Sequence, residues 1–306
     1  MTDNIIDQLE NAGYESYAVG GCVRDELLNR ENFDIDITTT ARPDEIKEVF
    51  KDYKTIDIGA KFGTIKILDG ASEYEITTMR RESGYSDKRH PEKIAFTDDI
   101  REDLKRRDFT INAMAKRNGQ ILDIFNGKKD LDEKIIRAVG NPDERIKEDM
   151  LRSLRAVRFA TSLNFEIAED LKQSIRKNAV SIDDISKERI QVELNKILLA
   201  DNPKGGIRLL DEVGLLEYIF PEVYATKGFD QHSTFHSEDL YKHTLSVLEK
   251  TPPILEVRMA VLYHDVGKID TFFLDENGEG RFFGHQSVSE ELLVDRLKKL
   301  KYSKKF

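Results

Sequence analysis

The sequence predicts an α+β N-terminal part followed by an all-helical C-terminal part. Three observations carry this. Residues 1–140 mix helical periodicity with short runs rich in Ile, Thr, Tyr and Val, such as KTIDIGAKFGTIKILDG and SEYEITTMR, broken by Gly and Asp. Such runs read as strands of a mixed or antiparallel sheet. From about residue 143 apolar residues recur at helical spacing over 144–161, 166–177, 187–200, 203–213, 236–249, 254–266 and 286–301, with Pro and Gly mainly between the runs. Finally, 306 residues at 39% hydrophobic and 35% charged suit two or three domains with sizeable cores and exclude global disorder.

Helices are expected at 3–12, 22–30 and 43–50, the last introduced by Pro43. The AVGNP stretch near 140 and the loss of helical period over 221–235 give three segments: 1–140, 141–221 and 222–306. No run of 18 apolar residues predicts a membrane span, and the N-terminus MTDNIIDQLE lacks the apolar core of a signal peptide. A single cysteine, Cys22, excludes an intrachain disulfide and a Cys-rich zinc site, so a cytoplasmic protein is expected. Fifty-eight acidic against 48 basic residues give a net charge of −10, which argues against a general nucleic-acid coat but leaves room for a local basic face. Six of the last eleven residues are Lys or Arg, and the chain stops in charged helical text with no stop signal, the pattern expected of a domain that continues.

The first candidate site lies in AVGGCVRDELLNRENFDIDIT. Gly20 and Gly21 let backbone approach a ligand closely before a helix that carries Arg24, an arrangement suited to a triphosphate. Asp34 and Asp36 are two apart on a strand and point to one face, with Ile35 and Ile37 on the other. Paired carboxylates repel unless a cation neutralises them, which suits Mg²⁺ and its hard oxygen ligands. Glu75 is the favoured third carboxylate, with Glu73 as its competitor on the same strand face.

Two further clusters follow. In REDLKRRDFTINAMAKR, Arg107 suits a phosphate, while Asp108 and Asn112, four apart on an expected helix, suit ribose hydroxyls. In ERIKEDMLRSLRAVRF, Asp149 and Arg152 are three apart on an expected helix, with Arg155 and Arg158 extending the row. The plain alternative for that pair is a surface salt bridge. The functional one is base reading: a carboxylate accepts from the amino group shared by cytosine and adenine, and an arginine donates to their ring nitrogen. Guanine and uracil present the wrong groups, at a cost of about 1–3 kcal/mol for each one left unpaired.

GGCVRD, FDIDITTTARP, YEITTMRRESGYSDKRHPEKIAF, EDLKRRDFTINAMA, ILDIFNGKKDL, ERIKEDMLRSLRAVRFA and ERIQVEL occur in an order that resembles class II tRNA nucleotidyltransferases, the bacterial-type CCA-adding enzymes related to poly(A) polymerases. The resemblance covers residues 14–221. It implies a polymerase-β-like nucleotidyltransferase head over 1–140, a helical neck over 141–221 that recognises the base, and a helical body over 222–306. It implies addition of C, C and A to tRNA lacking part or all of its 3′ CCA, from CTP and ATP with Mg²⁺ and without a template. Asp34 and Asp36 then look like the metal-binding catalytic pair; Gly20, Gly21, Arg24 and Asp25 the triphosphate-side motif; and Arg107, Asp108 and Asn112 the ribose motif. Glu148, Asp149 and Arg152 resemble the base-templating motif, Asp123, Gly127 and Asp130 the hinge motif, and Glu188, Arg189 and Glu193 a motif that stabilises the templating helix. Family members that add only CC lack a flexible stretch present here as MRRESGYSDKRHPEKIAF, which favours full CCA addition over A-only addition, CC-only addition or poly(A) synthesis.

His243, the His264–Asp265 pair and His285 resemble the start of an HD-type phosphohydrolase domain, whose donors suit a transition metal. Lys268, three residues beyond Asp265, could meet a phosphate. The final Asp of such a set is not evident, so a body that keeps the fold without hydrolysis, a metal-dependent phosphohydrolase and a partly filled site that binds metal without turnover all stay open.

Overall fold

The computed structural model describes residues 2–32, 34–59, 63–70, 72–84, 93–232, 239–304 and 306. The chain forms two compact units, Met1–Glu148 and Asp149–Phe306.

Among the described residues, the first unit is built on nine strands of four residues or more and six α-helices. The strands are β1 (Ser16–Val19), β2 (Asp34–Thr39), β3 (Lys54–Gly59), β4 (Thr64–Asp69), β5 (Ser72–Thr78), β6 (Arg80–Ser83), β7 (Lys93–Phe96), β8 (Met114–Arg117) and β9 (Gln120–Asp123). The helices are α1 (Thr2–Asn11), α2 (Gly21–Leu27), α3 (Pro43–Val49), α4 (Ile100–Lys105), α5 (Gly127–Asp132) and α6 (Pro142–Glu148). Seven strands form one sheet in the order β3-β4-β5-β2-β1-β8-β9. β2 and β5 are parallel and the other pairs antiparallel, so the expected mixed sheet is present.

Strand alternation sorts the side chains. Ile37, Ile65, Ile67, Tyr74 and Ile76 are buried on one face, where α1 and α3 contribute Ile5, Leu9 and Ile46. The opposite face carries Asp34 and Asp36, which pair in register with Glu73 and Glu75. α4 closes part of that second face through Ile100 and Leu104, packed on Val19, Met79 and Ala115. β6 and β7 form a separate hairpin, and residues 85–92 within its connection, part of the stretch that distinguishes CC-only enzymes, lie outside the described residues.

The second unit is helical: α7 (Leu151–Leu163), α8 (Glu169–Asn178), α9 (Lys187–Leu198), α10 (Pro203–Glu212), α11 (Leu216–Ile219), α12 (Pro221–Ala225), α13 (Leu240–Glu249), α14 (Leu255–Tyr263), α15 (Lys268–Thr271) and α16 (His285–Lys299). None of the helices among the described residues is long and apolar enough to cross a membrane.

The structure departs from the sequence expectations in three places. The chain divides after Glu148 rather than at 140, because α6 buries Ile146 and Arg145 donates to the carbonyl of Lys105 within the first unit. The expected boundary at 221 falls inside one unit. Arg258 of α14 is buried and donates to the carbonyls of Leu198 and Ala200 at the end of α9, which ties the two expected segments together. The helix expected over 144–161 is two helices, interrupted at Asp149–Met150. Asp149 Oδ1 accepts the N–H of Leu151 at 3.0 Å, the capping role that makes Asp a poor residue for helix interiors.

Gly127 packs against the turn that carries Asn112. A Cβ there would lie 2.2 Å from the carbonyl oxygen of Thr110. Gly127→Ala should therefore destabilise the first unit by about 1–3 kcal/mol, read by urea unfolding.

Candidate functional site

The first site is organised around a glycine. Gly20 follows β1 with φ of 74°, a conformation that favours glycine. A Cβ built there would lie 2.9 Å from Arg107 Nη1 and 3.5 Å from Asp36 Oδ2. The Gly-Gly turn, the second strand carboxylate and the arginine are therefore one cluster, although 87 residues separate Gly20 from Arg107. A Cβ built at Gly21 would lie 3.6 Å from Arg24 Nη2.

Arg24 is buried, and its guanidinium is engaged on two sides. Nε and Nη2 each donate to an Asp25 carboxylate oxygen at 2.8 Å, and Nη1 donates to Asn112 Oδ1 at 2.8 Å. Its placement is that of a brace for Asn112. Asp108 and Asn112 do come together, Nδ2 of Asn112 donating to Asp108 Oδ1 at 3.2 Å, but not on one α-helix. α4 ends at Lys105, Phe109 is extended, and Asn112 closes a 3₁₀ turn over Thr110–Asn112. The isolated bridge between Phe109 and Ala138 pulls the backbone out of helical geometry. The hinge-motif residues hold this turn: Asp123 accepts the N–H groups of Gly127 and Lys128, and Asp130 Oδ2 accepts from Thr110 Oγ1 at 2.6 Å.

Glu75 sits in register beside Asp36, as expected of a third carboxylate, but it is paired by Lys66 from β4 on its other side. Its ammonium lies 3.3 Å from Glu75 and 2.9 Å from Glu73, and those hydrogen bonds, Glu73 first, raise its pKa. Among the described residues, Asp34, Asp36 and Glu75 do not form a close three-carboxylate set. Asp34 and Asp36, oxygen donors two apart on one strand, remain the pair whose chemistry fits Mg²⁺.

Sequence reasoning missed Asp103. It has no exposed surface, yet it carries a carboxylate. Arg106 Nη2 lies 2.9 Å away, Arg107 Nη2 3.3 Å, and the N–H of Arg80 donates to it at 3.3 Å. Burial alone would raise its pKa; Arg106 and Arg107 override burial and hold it below the usual carboxylate range. The available signal was an acid four residues before Arg107 on a helix face.

In the second unit, Asp149 Oδ2 accepts from Arg189 Nη2 at 2.6 Å, so α9 fixes the start of α7. Arg158 donates to Glu193 Oε2 at 2.6 Å and lies over the ring of Phe159, while Arg155 Nη1 is 4.0 Å from Glu193. The row expected to face a ligand is thus partly engaged within the fold. Arg152 donates its backbone N–H to the Asp149 carbonyl, so the helical neighbourhood of the two residues holds despite the break.

Further along, Asp265 is buried among cations and imidazoles. Lys268 Nζ is 2.8 Å from its Oδ2, His264 Nε2 3.3 Å and His243 Nε2 3.9 Å. His285 Nε2 approaches the other oxygen, Oδ1, at 3.4 Å. His243, His264 and Asp265 have ligand atoms all within 4.8 Å of one another, the one such group among the described residues, and His285 is outside it. The expected four-residue set therefore separates into three residues and a flanking histidine, because the two faces of one carboxylate divide them. His264 Nδ1 donates to the Val261 carbonyl at 2.7 Å, which turns Nε2 toward Asp265. Burial would lower the His264 pKa, but its hydrogen bond to Asp265 and that residue's charge raise it. Asp265 is held well below the carboxylate range against burial, by hydrogen bonds from His264 and Lys268.

The mixed sheet, the Gly-Gly turn and the Asp-x-Asp strand beside it define a nucleotidyltransferase head. Residues 16–137 match the poly A polymerase head domain family, and residues 164–226 match the family described as the probable RNA and SrmB-binding site of polymerase A. The chain is 50% identical over 215 residues to the CCA-adding enzyme of Limosilactobacillus reuteri, covering 70% of this chain and 53% of that protein. It is 44% identical over 246 residues to the CCA-adding enzyme of Pediococcus pentosaceus, covering 80% and 60%. The solved structure of the Bacillus stearothermophilus CCA-adding enzyme in complex with CTP superposes with a TM-score of 0.70 at 33% identity, over 97% of this chain and 68% of that one. A structure of a CCA-adding enzyme with ATP gives 0.65 at 25% identity, over 98% and 67%. The chain belongs to the CCA-adding enzyme family. It spans just over half the length of the Limosilactobacillus relative.

Asp103 also generates a pH prediction. Its folded pKa is depressed, so its contribution to stability is complete above an unfolded value of about 3.9 and is lost as pH falls through the lower folded value. Urea unfolding between pH 5 and pH 3 should show wild type losing stability more steeply than Asp103→Asn.

Proposed function

We propose that this chain is a tRNA nucleotidyltransferase that adds C, C and A to the tRNA 3′ end from CTP and ATP, releasing pyrophosphate. The observation that carries the reading is the convergence of Asp36, Arg107 and the Gly20 turn in a head of this family. The tRNA 3′ hydroxyl attacks the α-phosphorus of the nucleotide in line. Asp34 and Asp36 would hold Mg²⁺, which would supply charge that makes the hydroxyl a better nucleophile and the pyrophosphate a better leaving group. Gly20 and Gly21 let the triphosphate lie against backbone, and Arg107 donates to its oxygens. Asn112, braced by Arg24, and Asp108 hold the ribose. Asp149 and Arg152 pair with the base and select C and A. With Arg189 fixing one Asp149 oxygen, a defined geometry is available for that pairing. The choice of C then A is proposed to follow a change in that geometry, coupled to the 80–96 segment and the growing 3′ end. A cytoplasmic location suits this role.

The cluster in the second unit supports a second activity. His243, His264 and Asp265 offer the mixed nitrogen and oxygen donors that suit a transition metal, with Lys268 bound to the Asp265 carboxylate. The reading is of an HD-type site acting on a phosphate ester.

Incorporation into tRNAs ending before CCA, after C and after CC, each with the four nucleoside triphosphates singly and together in Mg²⁺, tests the first reading. Two C additions followed by one A are expected; addition of A only to the CC-ended tRNA would identify the A-adding type. Asp34→Ala and Asp36→Ala should each lower incorporation by about a thousandfold or more. For the second reading, His264→Ala should remove one bound Mn²⁺ per chain in equilibrium dialysis and leave incorporation unchanged.

A further inference from the structure

We infer that Asp103 is a positioning residue for nucleotide binding: its buried carboxylate anchors the Arg107 guanidinium so that Nη1 stands beside Gly20 and Asp36. The inference rests on the transferase reading.

Among the described residues Arg107 has one ion-pair partner, Asp103. Its Nη2 lies 3.3 Å from Asp103 Oδ2 and its Nη1 projects to the Gly20 turn. Its Nε is buried and makes no hydrogen bond. A guanidinium held by one nitrogen, with a second beside the site and a third unsatisfied, is a donor placed for an anion. An unsatisfied buried donor is costly, and a bound triphosphate oxygen would recover part of that cost through a charge-assisted bond.

Asp103 does more than balance charge. Its other oxygen takes Arg106, which also reaches Glu82 on β6 at 3.3 Å, and Glu82 takes Arg80 Nε at 2.8 Å. Asp103 itself accepts the N–H of Arg80. One carboxylate thus fixes the direction of Arg107 and locks α4 to the β6–β7 hairpin. Without it, Arg80, Arg106 and Arg107 would crowd one another, and Arg107 would have no fixed orientation relative to Gly20. A structural acid could be removed at equal cost to every ligand; a positioning acid acts through Arg107 alone and on the phosphates it meets.

The test is a double-mutant cycle on ligand affinity, with CTP and CMP titrated calorimetrically in Mg²⁺ against wild type, Asp103→Asn, Arg107→Met and the double variant. Asp103→Asn is expected to weaken CTP about tenfold and CMP less than twofold, and to have less than a twofold effect in the Arg107→Met background. Equal losses for CTP and CMP, or a tenfold loss that persists without Arg107, would overturn the inference while leaving the transferase reading intact. If wild type binds neither CTP nor CMP, both fall together. Should Asp103→Asn not fold, Asp103→Asn with Arg106→Met removes one cation along with the acid; the same cycle run in that pair, against Arg106→Met alone, carries the same expected and overturning outcomes.

Discussion

The missing side chain of Gly20 is the constraint on which the head depends. Its positive φ turns the chain from β1 into α2, and its bare α-carbon leaves room for the Arg107 guanidinium and the Asp36 carboxylate to approach the same point. Three chain segments must arrive together for this to work. β2 arrives by pairing with β1, which sets Asp36 on the same face as Tyr17 and Val19. The Arg107 segment arrives because α4 buries Ile100 and Leu104 against that face. Apolar packing supplies the placement, and the polar network around Asp103 and Arg24 supplies the aim.

The second unit uses a different logic. Its central charge, Asp265, is buried and answered by an ammonium and several imidazoles rather than by guanidinium groups. Two of its histidines, His264 and His285, have Nδ1 tied to a backbone carbonyl, which directs Nε2 at the carboxylate. The head offers oxygen donors suited to a hard cation, and this cluster offers mixed nitrogen and oxygen donors suited to a borderline one. The two donor sets would therefore favour different classes of cation.

Much of this was legible in the residues. The Asp-x-Asp pair on a strand, the isoleucines between, and the Gly-Gly turn follow from a period of two and from glycine's freedom. What stayed hidden depended on partners distant in sequence. Glu75 could be placed on the correct face, but not the lysine on the neighbouring strand that engages it; Lys66 is visible only through strand register. Asp149 carries no helix-breaking signature of Gly or Pro, so the interruption at that residue required the capping contact and Arg189 to be seen. Asp103 reads in sequence as one more acid in a charged helix, and only its complete burial separates it from Glu102.

The excess of acid over base acquires a meaning from these contacts. Lys and Arg cluster at 101–107, 152–158 and 296–305, the stretches from which a local basic face would be drawn. Several of their cations are instead answered inside the fold: Arg106 and Arg107 by Asp103, Arg158 by Glu193, Arg296 by Glu222 and Lys299 by Asp295. A cation paired at 2.6–3.3 Å within the protein contributes little long-range attraction. Affinity for a polyanion would then depend on a few oriented groups rather than on a coat of charge. That is consistent with a site in which arginines are held at fixed angles by acids: the acids lower the net charge and, by the same contacts, define where the remaining donors point.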